Sequence, residues 1–227
     1  MNGNPMNATH ATTDPALLTQ FNAAMAGLPL VAILRGLAST EAVAVAQALY
    51  GAGLRLIEVP LNSLEPLISI ASIRSALPGD AVIGAGTVLS TGAVAEVQAA
   101  GGQIIVMPHA DAQVIRAAKA AGMLCVPGVA TPTEAFAALA AGADALKLFP
   151  AELVTPAVLK AMKAVLPPNV PLLPVGGITP QGMRAYRQAG AAGFGLGSAL
   201  FRPGLDVATV RDNALAFVAA WRALSDA

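Results

Sequence analysis

The strongest constraint on this chain is a repeat. Compact apolar runs occur at residues 30–34, 56–61, 81–88, 103–108, 123–127, 145–150, 171–177 and 193–196. Between them lie stretches with helical spacing and helical punctuation, at intervals of roughly 20–25 residues. The runs do not alternate apolar with polar residues, which is the pattern of parallel strands covered on both faces. About eight strand–helix units are what a closed (β/α)8 TIM barrel requires. Asp14 followed by Pro15 caps an extra N-terminal helix reaching Gly27. Thr131-Pro132-Thr133-Glu134 has the form of a capping box. An open, doubly wound sheet is the alternative topology.

Composition narrows the function. Hydrophobic residues make up 56% of the 227 and charged residues 11%, enough apolar material for one large core. Every apolar run is interrupted by Gly, Pro or a charge before the roughly 18 residues of a membrane span. The net charge is +0, and no basic block appears, which argues against nucleic acid. One cysteine, Cys125, excludes an intrachain disulfide. His10 and His109 are too few for a histidine metal cluster. The polar stretch over 1–13 lacks an apolar signal core. It reads as a flexible leader of a cytoplasmic protein, ahead of a single domain over 14–227.

The unusual residues fall late in the apolar runs, the end at which such folds carry their chemistry. Arg35 ends the first run. Glu58 sits between Ile57 and Val59, and Thr87 lies late in the third run. Lys147 stands between Leu146 and Leu148, pointing opposite to both. A buried ammonium is costly and answers by losing its proton, and a neutral lysine can attack a ketone to give a Schiff base. The alternative is a strand-end lysine that reaches water or pairs with a carboxylate. Glu58 suits acid/base work if burial raises its pKa, or a structural ion pair with Lys147 or Arg35. Gly176-Gly177 and Gly197-Ser198, after the last two runs, suit a phosphate held by backbone N–H groups, or are ordinary turns. Gly84-x-Gly86 lacks the third glycine of a dinucleotide fingerprint, so a nicotinamide cofactor is set aside. Ser198 has no histidine partner for a triad. Cys125 reads as packing, Thr131 as a cap, and Lys119, Lys160 and Lys163 as solvated helical lysines. His109 reads as a loop residue.

With these residues placed, the chain resembles the 2-keto-3-deoxy-6-phospho-aldonate aldolases. The likeness rests on Ile33-Leu34-Arg35-Gly36, Ile57-Glu58-Val59-Pro60-Leu61-Asn62-Ser63, Gly84-Ala85-Gly86-Thr87-Val88, Leu146-Lys147-Leu148-Phe149-Pro150, Pro174-Val175-Gly176-Gly177-Ile178 and Gly195-Leu196-Gly197-Ser198. The resemblance implies a class I aldolase that needs no metal or other cofactor. Lys147 would be the Schiff-base lysine and Glu58 the acid/base. Arg35 and Thr87 would hold the substrate carboxylate, and Gly176, Gly177, Gly197 and Ser198 its phosphate. Pro60, Asn62 and Val175 stand where the gluconate-type enzymes carry Thr, Arg and Thr, which is similar to the galactonate-type branch. The implied reaction cleaves 2-dehydro-3-deoxy-6-phospho-D-galactonate to pyruvate and D-glyceraldehyde 3-phosphate. The implied assembly is a homotrimer. The gluconate epimer as main substrate, a phosphosugar isomerase or epimerase, and a non-catalytic phosphate-binding protein are the other readings.

Overall fold

A computed structural model describes residues 12–225. Of the expected leader, 1–11 lie outside the described residues. The elements run α1 (Pro15–Gly27), β1 (Leu30–Ile33), α2 (Ala42–Gly51), β2 (Leu56–Pro60), α3 (Pro66–Ala76), β3 (Val82–Gly86), α4 (Thr91–Ala99), β4 (Ile104–Val106), α5 (Ala112–Ala120), β5 (Leu124–Val126), β6 (Gly128–Val129), α6 (Pro132–Ala140), β7 (Leu146–Leu148), α7 (Pro156–Val165), β8 (Leu172–Pro174), α8 (Met183–Ala189), β9 (Phe194–Leu196) and α9 (Val207–Ser225).

Several helices begin where a side chain satisfies their first free N–H groups. Asp14 Oδ1 accepts from Ala16 N at 2.8 Å and Leu17 N at 3.3 Å, opening α1. Ser90 and Asp111 do the same for α4 and α5. Thr131 and Glu134 form the reciprocal capping box of α6. No helix among the described residues is long and apolar enough to cross a membrane.

All strand pairs are parallel, but the strands do not make one ring. Six form a curved half-barrel in the order β5-β4-β3-β2-β1-β9, and three form a second sheet, β6-β7-β8. The closed (β/α)8 TIM barrel with an extra N-terminal helix expected from the repeat is therefore corrected to an incomplete barrel. Prolines explain both seams. Pro127 has no N–H to donate; it ends β5, within the expected 123–127 run, and separates it from β6, which lies just beyond that run. Pro171 precedes β8 and Pro174 ends it, so this three-residue strand has few donors left for β9. One bridge, Val175 with Gly195, and the hydrogen bond from Ala192 N to Leu172 O at 2.9 Å span that seam.

Alternation along the strands divides the apolar residues into two cores. Leu30, Ala32, Ile57, Val59, Ile83, Ala85, Ile105, Cys125, Leu146, Leu148, Phe194 and Leu196 pack outward against the helices. Val31, Leu56, Val82, Ile104, Val106, Leu124, Val126, Ala145 and Leu173 pack together on the concave side. Phe21 and Ala24 of α1 join this inner cluster and cover it from below. The inner residues form an apolar floor. Two residues further along each strand, on the same side, stand Ile33, Glu58, Lys147 and Val175.

Candidate active site

Glu58 enters from β2, paired between Ile33 of β1 and Gly84 of β3. Lys147 enters from β7, paired between Gly128 of β6 and Leu173 of β8. Strand parity thus sets both on the layer above the apolar floor, with 1% of Glu58 and 5% of Lys147 exposed. Burial raises the Glu58 pKa to about 7, against the opposing fields of Lys147 and Arg35. Burial also lowers the Lys147 pKa; Glu58 opposes this and Arg35 adds to it. Among the described residues the two form no ion pair. Glu58 Oε2 has no hydrogen-bond partner. Lys147 Nζ lies 4.7 Å from the centre of the Phe149 ring, a cation–π approach when protonated. Both side chains line a small cavity of about 20 Å³ above the floor. That volume is close to one water.

The space around Glu58 depends on Gly86 of β3. A Cβ there would stand 1.9 Å from Glu58 Oε2, so no other residue leaves the carboxylate where it is.

Above Lys147 the strand ends open into a cavity of about 600 Å³. It brings together Arg35, Lys147, Val175, Gly176, Gly177, Gly197 and Ser198, seven of the nine expected site residues. Glu58 shares the small cavity beneath with Lys147. Thr87 does not line the large cavity; its Oγ1 accepts from Arg35 Nη1 at 3.5 Å. Arg35 Nη1 also donates to Asn62 Oδ1 at 2.7 Å, so Asn62 helps orient the guanidinium. Gly176 and Gly177 adopt φ of 118° and 58°, which glycine tolerates and other residues resist. The Glu152 carboxylate packs against them, and a Cβ on Gly176 would lie 2.4 Å from Glu152 Oε2.

Residues 21–213 match the family described as aldolase, KDPG and KHG aldolase. The chain belongs to the KDPG and KHG aldolase family. It is accordingly an aldolase, a carbon–carbon lyase. The 2-dehydro-3-deoxy-6-phosphogalactonate aldolase of Escherichia coli (strain K12) is 47% identical to it over 86% of this chain and 95% of that protein. A 2-dehydro-3-deoxy-phosphogluconate aldolase of Pseudoalteromonas atlantica is 34% identical over 70% of this chain and 73% of its own length. A solved structure described as native KDPGal superposes with a TM-score of 0.87 and 46% identity, over 88% of this chain and 97% of that one.

Other residues of this aldolase were less visible in the sequence. Glu152 and Arg202 line the large cavity from loops, where no periodicity marks an orientation. Lys119 is the clear departure. It is 5% exposed rather than solvated. Its Nζ donates to both Asp144 oxygens, at 2.8 and 2.7 Å, and to Thr13 Oγ1. Lys160 and Lys163 are exposed, as expected. His109 is exposed and lines neither cavity. Cys125 is buried, which pushes its thiol pKa up to about 12 and keeps it unreactive. Among the described residues, no group of three or more His, Cys, Asp and Glu side chains could hold a metal ion.

Proposed function

We propose that this class I aldolase cleaves 2-dehydro-3-deoxy-6-phospho-D-galactonate to pyruvate and D-glyceraldehyde 3-phosphate through a Schiff base on Lys147. The observation that carries the reading is the buried, unpaired Lys147 beside a buried Glu58, at the base of a cavity lined by Arg35 and the Gly176-Gly177 and Gly197-Ser198 pairs. The neutral amine of Lys147 attacks the C2 ketone, and loss of water gives an iminium. Glu58 takes the C4 hydroxyl proton, and the C3–C4 bonding electrons move into the iminium. The aldehyde leaves, and the pyruvate enamine remains. Glu58 returns its proton to C3, and hydrolysis frees pyruvate and the amine. A carboxyl group with a pKa of about 7 is suited to both transfers near neutral pH.

Arg35, with Thr87 beside it, holds the substrate carboxylate. Gly176, Gly177, Gly197 and Ser198 hold the phosphate. Val175 faces the substrate where a threonine would offer a hydroxyl to C4 of the gluconate epimer. Losing one such hydrogen bond is worth roughly 1 kcal/mol, about a fivefold preference. The higher identity to the galactonate enzyme than to the gluconate enzyme supports the same choice. A cytoplasmic homotrimer over a single domain completes the proposal.

Cleavage rates on the two C4-epimeric phosphates, read as pyruvate release, test it. We expect the galactonate epimer to have the higher kcat/KM, by about fivefold or more. Preference for the gluconate epimer overturns the substrate assignment, and no pyruvate from either overturns the reaction.

A further inference from the structure

The large cavity is lined by three basic side chains, Arg35, Lys147 and Arg202. Two of them are committed. Arg35 is tied to Asn62 and Thr87, and Lys147 lies at the base. Arg202 has no ion pair among the described residues, although the Glu152 carboxylate lines the same cavity. It is exposed, in the loop that follows Gly197 and Ser198.

The backbone that presents it is fixed. Leu200 N and Phe201 N both donate to Gly197 O, at 2.8 and 3.0 Å. Asn213 Nδ2 donates to Leu200 O at 3.2 Å, and Leu205 N to Arg202 O at 3.2 Å. Phe201 is buried. Pro203 packs onto Gly36 so closely that a Cβ there would lie 2.7 Å from Pro203 Cγ. The loop after β9 is thereby stitched to α9 and to the end of β1. A guanidinium carried on an anchored backbone can meet a phosphate in a forked geometry, with the ordering cost confined to the side chain itself.

We propose that Arg202 is the residue with which this aldolase reads the phosphate: its guanidinium completes the cradle of Gly176, Gly177, Gly197 and Ser198 and selects phosphorylated substrates over unphosphorylated ones. This rests on the reading of the cavity as a phosphosugar-acid site. It adds a charged side chain to a cradle otherwise made of backbone N–H groups and the Ser198 hydroxyl. The Glu152 carboxylate, packed on Gly176 and Gly177, repels a phosphate, and Arg202 offsets that repulsion.

The test compares wild type, Arg202→Ala and Arg202→Lys on the 6-phosphorylated substrate and on its unphosphorylated counterpart. Inorganic phosphate binding is measured separately by calorimetry. Arg202→Ala should raise KM for the phosphorylated substrate about 10- to 100-fold, the worth of a charge-assisted pair. Its kcat should change by about twofold or less. KM for the unphosphorylated substrate should be unchanged, and Arg202→Lys should recover part of the loss. Inorganic phosphate affinity should fall with Arg202→Ala as well. An equal rise in KM for both substrates marks a structural role and overturns the proposal, as does no change for either. Were the wild type not to cleave the phosphorylated compound, the calorimetric arm would still decide: weaker phosphate binding by Arg202→Ala sustains Arg202, and equal binding refutes it.

Discussion

Lys119 and Lys147 are each 5% exposed, yet only one of them has a carboxylate within bonding distance. Lys119 reaches from α5 to Asp144, which also accepts from Cys125 N at 2.8 Å and from Thr13 Oγ1 at 2.8 Å. Its charge is matched and its protons are spoken for. That cluster joins α5, the start of β5, the turn before β7 and the approach to α1. Lys147 has no hydrogen-bonded or ion-paired partner for an ammonium: around it stand an aromatic ring that offers only a cation–π approach, an apolar floor and a carboxyl group outside ion-pair range. Burial is the same in both places. The partner decides whether it yields a structural tie or a nucleophile.

The contrast is testable by removing each charge in turn, in order of effect on turnover. Lys147→Met should lower kcat by about ten-thousand-fold or more, because no other amine can form the iminium. Stability should hold or rise, since replacing an unpaired buried amine by an apolar side chain of similar volume removes a desolvation cost. Denaturant titration beside a turnover assay checks both halves.

Glu58→Gln should lower kcat by about 100- to 10,000-fold while substrate binding persists. In the wild type the acid limb of kcat/KM should inflect near 7, the Glu58 pKa, because the base must be ionised. The stability profile has its own sign. Folded Glu58 holds its proton up to about 7, while the unfolded group releases it near 4.5. The folded state therefore binds more protons in that window, and stability falls as pH rises through it. Glu58→Gln should remove this contribution to the slope in unfolding measurements across the same range.

Lys119→Met should do the reverse of Lys147→Met. It strands the Asp144 carboxylate and should cost about 3–5 kcal/mol in unfolding free energy. In the folded protein kcat should change by about twofold or less, because Lys119 lines neither cavity. A large loss of turnover at full stability would erase the distinction between the two lysines.

The same comparison explains what the sequence made legible. Lys147 and Glu58 stand out because each interrupts an apolar strand, and strand parity then fixes the side to which they point. Lys119 gives no such signal. A lysine on a helix defaults to solvent, and its partners lie 25 and 106 residues away in the chain. The strand repeat was readable, and closure was not. Pro127 looks like a strand end, and nothing local says that Gly128 and Val129 go on to pair with β7. The β8–β9 seam depends on how many N–H donors survive around two prolines, which periodicity does not report. Arg202 and Glu152 sit on loops, and only the folded chain shows that both line the cavity.

The most direct measurement of the central claim is reductive trapping. Pyruvate and borohydride are added to the protein, and the modified residue is located by peptide mass. The account predicts one reduced pyruvate adduct, on Lys147, with Lys119 unmodified. No adduct on Lys147, or an adduct on another lysine with Lys147 intact, would contradict it.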